Sequence, residues 1–250
     1  MRKFGLIGYP LGHSFSKKYF SEKFLNEKII DSSYENYPLK NIADFPGLIS
    51  SDDSLCGLNV TIPYKTEIIG YLDYLDQEAE EVGAVNVIKI RREPGRIGLK
   101  GYNSDITGIR DTISPYLNVS VRKALVLGTG GSSKAVCHVL KNLGLEVSLV
   151  SRERKPGILS YSDLDDDIIE KTQLIVNTTP LGMFPNTTNR PDINYSRLTS
   201  DHILFDLVYN PEDTAFLKAG VEQGSRTLSG ITMLHSQAEK AWEIWNDDAK

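Results

Sequence analysis

Residues 121–152 read VRKALVLGTGGSSKAVCHVLKNLGLEVSLVSR. The segment 124–127 is short, apolar and partly β-branched, as suits a buried parallel strand. Gly128, Gly130 and Gly131 follow at once, with Thr129 between the first two. Ser132 and Ser133 then open a helical pattern carried by Val136, Val139, Leu140 and Leu143, which Gly144 closes as a C-terminal glycine does. Residues 147–150 read as a second strand. The order is strand, glycine turn, helix, strand. With no Cβ in the way, backbone N–H groups at the helix start can approach a pyrophosphate. Ser133 stands where the third glycine of G-x-G-x-x-G would be. An ordinary glycine-rich turn is the alternative, and the flanking strands and helix favour a dinucleotide site.

The end of the second strand bears on which dinucleotide. An NAD reader places Asp or Glu there to hold the ribose 2′-hydroxyl. This chain has Ser151, Arg152, Glu153, Arg154 and Lys155. A guanidinium fork matches a phosphate in a bidentate way, so the 2′-phosphate of NADP fits better than a bare ribose. Glu153 is explained as pointing to water, and a solvated charged loop is the plainer alternative.

Outward from this unit, the composition sets bounds. A chain of 250 residues holds one large or two medium domains. With 40% hydrophobic and 24% charged residues it reads as a soluble globular protein. A net charge of −5 and no basic tract argue against nucleic acid as a main partner. Cys56 and Cys137 lie far apart without metal-ligand spacing, so buried thiols in a reducing, cytoplasmic setting are expected, and no metal. No signal peptide and no membrane span are expected, since no h-region and no run of 18 apolar residues is seen.

In chain order, 4–8 reads as a strand ending at a Pro10 and Gly12 loop that carries His13, Ser14 and Ser16. Ligands of open α/β sheets bind outside the carboxyl ends of strands, so Ser14 and Ser16 are candidate ligand donors; Ser16 capping a helix over 17–26 is the equal alternative. His13 is expected to be structural. A strand is predicted at 33–38, a helix at 42–49 and a strand at 57–61, followed by Pro63 and a helix that starts near Lys65. Residues 72–82 read as one acidic helix, 85–90 and 97–101 as strands around a turn at Pro94-Gly95. Asp105, ahead of a helix over 106–116, is a candidate helix cap. Domain junctions are expected here: residues 1–101 with 232–250 form one domain and 102–231 the other. Beyond Arg152, an acidic helix is expected at 163–170, parallel strands at 173–177 and 203–208, and a final helix at 231–245 with Leu234, Ala238, Ala241 and Trp242 as its apolar stripe.

Taken together the motifs resemble one family, the shikimate dehydrogenases, NADP-linked oxidoreductases of aromatic amino-acid biosynthesis. The resemblance spans the chain. It rests on Gly8-Tyr9-Pro10 with Ser14 and Ser16, Asn59-Val60-Thr61 with Pro63 and Lys65, Gly83-Ala84-Val85-Asn86, Asn103 with Asp105, and the Gly128 turn. It continues through 177–183, through Asp206, Tyr209 and Pro211, and through Gly230, Met233, Leu234 and Gln237. It implies an α/β fold of two domains: an N-terminal α/β substrate and catalytic domain with a mainly parallel sheet, a C-terminal Rossmann-type NADP domain, and a cleft between them. By the resemblance, Ser14, Ser16, Thr61, Asn86, Tyr209 and Gln237 bind shikimate, and Lys65 and Asp105 are the catalytic pair that also touch it. Gly128, Thr129, Gly130, Gly131, Ser132 and Ser133 cradle the pyrophosphate; Ser151, Arg152 and Arg154 hold the adenosine phosphate end; Thr178, Leu207, Gly230 and Met233 line the nicotinamide side. Ser151 and Glu153 depart from the family's usual Asn and Thr, and Ser104 from its usual Thr.

The implied reaction is reversible reduction of 3-dehydroshikimate to shikimate with NADPH, in which the C3 oxygen gains a proton as a hydride arrives. That calls for an acid–base group and a stabiliser of the developing alkoxide. A monomer or homodimer with a small-molecule substrate is expected. The rivals are a quinate/shikimate dehydrogenase using NAD, a methylenetetrahydrofolate dehydrogenase, which shares the two-domain plan and a catalytic lysine, and an NADP-binding regulatory protein without turnover.

Overall fold

The structure, a computed structural model, describes residues 1–12 and 15–247. In chain order the regular elements are β1 (Arg2–Gly8), α1 (Phe15–Asn26), β2 (Ser32–Pro38), α2 (Phe45–Ser51), β3 (Leu55–Val60), β4 (Tyr74–Leu75), α3 (Gln77–Val82), β5 (Val87–Glu93), β6 (Arg96–Tyr102) and α4 (Asp105–Ile113). They continue with β7 (Lys123–Leu127), α5 (Gly131–Asn142), β8 (Glu146–Ser151), β9 (Leu159–Ser160), α6 (Asp166–Glu170), β10 (Leu174–Asn177), β11 (Ile203–Asp206), α7 (Ala215–Glu222), β12 (Arg226–Leu228) and α8 (Ile231–Asn246). Two compact units result, Met1–Ser104 with Gln237–Lys250, and Asp105–Ser236. The divisions fall three residues after the expected first junction and five after the second, the latter inside α8. Among the described residues no helix is long and apolar enough to cross a membrane.

The first unit holds a mixed sheet in the order β2-β1-β3-β5-β6-β4. β2, β1 and β3 run parallel, β5 is antiparallel to β3 and β6 to β5, and β4 runs parallel to β6. The β5–β6 hairpin turns on Pro94 and Gly95, and Gly95 takes the positive φ of 78° that the second central position of such a turn needs. One face buries Ile7, Phe45, Leu58, Ile68 and Ile88. The other packs Phe4, Phe20 and Tyr34 against Ala238, Ala241 and Trp245 of α8. Trp245 stacks on Phe4 at 4.8 Å and donates its indole N–H to the Ile88 carbonyl at 3.0 Å. A Cβ on Gly57 would lie 2.3 Å from the Trp245 ring nitrogen, so glycine is what lets the indole lie on β3.

The second unit is an all-parallel sheet in the order β12-β11-β10-β7-β8-β9, with Leu125, Ile175, Leu204 and Phe216 in its core. Strand order reverses at β7, whose neighbours are β8 and β10. This is the topological switch point where doubly wound sheets bind ligands.

Several expectations are corrected. The helix expected over 72–82 is α3 alone. Tyr74 and Leu75 pair with β6, and Asp76 caps α3 by accepting the Ala79 N–H at 2.9 Å, while burial raises its pKa. The acidic helix expected over 163–170 is α6, capped by Asp165. α1 starts at Phe15, so Ser16 lies within its first turn and is not a residue outside it. Likewise Asp105 is the first residue of α4, not a cap ahead of it. The elements β9, α7 and β12 add to the expected set.

Candidate active site

In the first unit the candidate residues gather where β1 and β3 end. The Thr61 N–H donates to the Ile7 carbonyl at 2.9 Å. A Cβ on Gly8 would lie 2.5 Å from Thr61 Cγ2, so the backbone leaving β1 passes directly over Thr61. Because β5 is antiparallel to β3, Asn86, just ahead of β5, lies beside the end of β3. Its carbonyl accepts from the Val60 N–H at 2.9 Å and from Asn59 Nδ2 at 3.3 Å. Its side chain accepts from the Ser104 N–H at 2.7 Å, donates to Ser104 Oγ at 3.1 Å, and reaches Gln237 Oε1 of α8 at 3.5 Å. Asn103 braces the same corner by donating to the Ala84 carbonyl at 2.8 Å.

A buried tyrosine ties this network to α1. The Tyr34 hydroxyl donates to Asn59 Oδ1 at 2.7 Å and hydrogen-bonds the Ser16 side chain, and Tyr34 stacks on Phe20 at 4.7 Å. Burial drives its pKa far up, so it serves as a fixed neutral donor. Ser16, Asn86 and Gln237 are thus joined within one unit by amides and hydroxyls, and Thr61 adjoins them through its backbone bond to β1. Ser14 and His13 lie outside the described residues.

Lys65 does not open a helix. The Lys65 carbonyl accepts the Val85 N–H at 2.7 Å, and Ile69 N–H turns instead to Thr66 at 3.4 Å, so residues 62–66 form turns before a 3₁₀ segment, Glu67–Tyr71. A tertiary backbone bond takes the acceptor that a helix would use. Lys65 is half-buried on that turn, tied through Val85 to the strand that Asn86 introduces. Asp105, at the start of α4 in the second unit, is 1% exposed. A carboxylate at a helix start is the sign the helix dipole favours.

In the second unit β7 runs into Gly128, whose φ is 113°. A Cβ there would lie 2.6 Å from Thr178 Oγ1, at the end of the neighbouring β10. Left-handed backbone and close approach both require glycine. Gly130 is the N-cap of α5, a helix of 12 residues, and a Cβ on it would meet nothing within 4 Å. The helix start therefore faces space with no side chain at its cap, as a pyrophosphate cradle needs. Ser133 is buried and donates to the Gly130 carbonyl at 2.6 Å, replacing a glycine contact with a hydrogen bond. Thr178 hydroxyl donates to the Leu127 carbonyl at 2.7 Å. Gly230 packs against the other candidate loop, for a Cβ on it would lie 2.6 Å from the Leu207 carbonyl oxygen. Met233 is buried with its backbone against Gly108 of α4. Tyr209 is half-buried, and burial raises its pKa.

After β8, Ser151 is buried and its hydroxyl donates to the Glu153 carbonyl, which closes the turn. Arg152 is exposed. Arg154 is exposed as well and faces Asp163, with Nη2 at 3.3 Å from Oδ1, beside a cavity of about 510 Å³ walled by 154–159.

The family profile describing the shikimate dehydrogenase substrate binding domain matches residues 6–88. A protein of Clostridium beijerinckii named shikimate dehydrogenase (NADP(+)) is 37% identical across 99% of this chain and 93% of its own. One of Halothermothrix orenii with the same name is 37% identical across 96% of this chain and 89% of its own. The chain belongs to the shikimate dehydrogenase family. The crystal structure of the family member from Peptoclostridium difficile superposes with a TM-score of 0.83 at 34% identity, covering 100% of this chain and 93% of the other. The Thermus thermophilus shikimate 5-dehydrogenase, crystallised with NADP(H) and shikimate, superposes with a TM-score of 0.84 at 27% identity, covering 98% and 94%.

Within this shikimate dehydrogenase fold, three polar residues stand out to which the sequence reading gave no role: Tyr34, Asn59 and Asp206. Tyr34 is 25 residues from Asn59 in sequence, and only the parallel pairing of β2, β1 and β3 brings them together. Asn59 sits in a polar-apolar-polar triplet at a strand end, which was its signal.

Proposed function

We propose that this chain catalyses the reversible NADPH-dependent reduction of 3-dehydroshikimate to shikimate, a step toward chorismate and the aromatic amino acids. The observation that carries it is 37% identity, over nearly the whole length of both chains, to proteins named shikimate dehydrogenase (NADP(+)). The Ser16–Tyr34–Asn59–Asn86–Ser104 network supports it, since a polyhydroxy acid needs several fixed hydroxyl and amide partners.

The glycine turn at the switch point fits a dinucleotide: Gly128 brings the backbone against Thr178, and Gly130 leaves the start of α5 open. We assign the pyrophosphate to the backbone of 128–133, the adenosine phosphate end to Ser151, Arg152 and Arg154, and the nicotinamide side to Thr178, Leu207, Gly230 and Met233. A bound nicotinamide supplies the hydride. Ser14, Ser16, Thr61, Asn86, Tyr209 and Gln237 orient the substrate. Lys65 and Asp105 are assigned the proton that the C3 oxygen gains, and the Lys65 ammonium steadies the negative charge that grows there. Residues 1–104 with 237–250 form the substrate unit in this reading, and 105–236 the nucleotide unit. We place the protein in the cytoplasm, in keeping with the free thiols Cys56 and Cys137.

A second reading, NAD in place of NADP, has one observation in its favour: Arg154, though exposed, is engaged by Asp163, which leaves one guanidinium fewer to meet a 2′-phosphate. Initial rates with shikimate and quinate, each with NADP and NAD, decide. The fastest rate is expected with shikimate and NADP. Turnover with no pair would overturn the assignment.

A further inference from the structure

Asp206 ends β11 with none of its surface exposed. Its Oδ1 accepts from the Val208 N–H at 3.0 Å and from Asn177 Nδ2 at 2.9 Å; its Oδ2 accepts the Thr214 hydroxyl at 2.6 Å. Each donor anchors a different piece of backbone. Asn177 passes the constraint on: its Oδ1 takes the Thr179 N–H at 3.0 Å and the Thr179 hydroxyl at 2.6 Å, and its Nδ2 also reaches the Leu181 carbonyl at 3.3 Å. This fixes the loop after β10, which carries Thr178. Val208 fixes the loop after β11, between Leu207 and Tyr209. Thr214 caps α7, where its Oγ1 accepts the Leu217 N–H at 3.3 Å. Gly230 lies on the same node, since a Cβ on it would sit 3.1 Å from the Asp206 carbonyl oxygen.

We propose that Asp206 is a positioning residue for the nicotinamide half of the cofactor: its carboxylate holds the loops after β10 and β11 in the form that binds it. The inference rests on the nucleotide reading above. All three donors need an acceptor at Asp206, and the ionised carboxylate, with no proton of its own, accepts all three most strongly. Protonation at Oδ2 puts a donor opposite the Thr214 hydroxyl. Burial pushes the pKa of Asp206 up to about 6, against the downward pull of Thr214, Val208 and Asn177. No cation is among the groups that hold it down. The titratable group that senses its charge is the Tyr195 phenol, which lies under the Arg190 guanidinium at 4.2 Å. The carboxylate is therefore ionised above about pH 6, where the loops are set, and its three hydrogen bonds lose their charge assistance as pH falls through that value.

The test compares dissociation constants of NADP⁺ and 2′-phospho-ADP-ribose, which is NADP⁺ without its nicotinamide, from pH 5 to 8 by calorimetry. Both nucleotides carry the 2′-phosphate as their one phosphate monoester, so its titration cancels in the ratio. In the wild type NADP⁺ should lose roughly tenfold against 2′-phospho-ADP-ribose between pH 7.5 and 5, the order of one charge-assisted hydrogen bond. Asp206→Asn, which cannot accept at both positions, should show the low ratio at every pH. A flat wild-type ratio, or a folded Asp206→Asn with the wild-type profile, overturns the inference while the nucleotide reading stands. Should Asp206→Asn fail to fold, the wild-type ratio alone decides. Absence of binding by both nucleotides overturns the nucleotide reading and this inference with it.

Discussion

At the end of β3 the groups that can meet a ligand are hydroxyls and amides, set in place by Tyr34 and Asn59. At the end of β7 they are backbone N–H groups at a helix start, uncovered because Gly130 carries no side chain, on a turn that Gly128 packs against Thr178. The first arrangement is undone by removing atoms. The second is undone by adding them. A polyhydroxy ring differs from its analogues at single oxygens, so recognising it takes directional side chains; a pyrophosphate is common to all dinucleotides, and backbone suffices.

The sharpest break of this contrast is Lys65→Ala. If the first unit works through side-chain chemistry, kcat should fall roughly 10²–10⁴-fold with a smaller change in substrate KM, the usual worth of a general acid–base group. NADPH oxidation at its absorbance band reads the first, and nucleotide titration should be unaltered. Near-normal turnover would remove Lys65 from the proton transfer.

Addition on the other side comes next. Gly128→Val forces a Cβ to 2.6 Å from Thr178 Oγ1 at a φ of 113°. It should lower stability by about 1–3 kcal/mol and abolish measurable NADP binding. Gly130→Ala separates shape from strain, because its φ is −81° and a Cβ meets nothing within 4 Å. That variant should melt within about 0.5 kcal/mol of wild type yet bind NADP more weakly, as the methyl enters the cofactor's space. Unchanged affinity in Gly130→Ala would show that the helix start is not the cradle.

Tyr34→Phe is a smaller removal. It leaves Asn59 Oδ1 without its donor at a cost of about 1 kcal/mol, and shikimate KM should rise several-fold while NADP affinity holds. A variant that weakens NADP instead would erase the division of labour between the units. Smallest is Arg152→Ala, expected to lower the preference for NADP over NAD by roughly tenfold, with Arg154→Ala doing less because Asp163 already holds that guanidinium. Equal losses for both cofactors would mean that Arg152 does not read the 2′-phosphate.

The nucleotide unit was the more legible in sequence. β7, α5 and β8 stand within a residue or two of the reading, because a glycine turn between apolar runs is a local signal and the positive φ of Gly128 and Gly144 is written into the residue type. α7 and β12 went unread. β12 is a three-residue edge strand that pairs with β11, a pairing no local pattern announces. In the first unit, the turn at Lys65 was read as a helix start since Pro63 favours one locally; the Val85 N–H that takes the Lys65 carbonyl comes from 20 residues downstream. Tyr34 and Asp206 were hidden for the same reason. A buried tyrosine or aspartate declares a role only through its partners, and those are set by strand order.

Trp245 comes after the whole of Asp105–Ser236 in sequence, yet it stacks on Phe4 and fills the space over Gly57. The core of the first unit therefore has no finished form until residue 245 is made, whereas Asp105–Ser236 is one uninterrupted stretch. On the ribosome the nucleotide unit can reach its native packing while the earlier-made half still waits for its closing indole. A chain ended just before Trp245 should accordingly loosen in residues 1–104 rather than in 105–236.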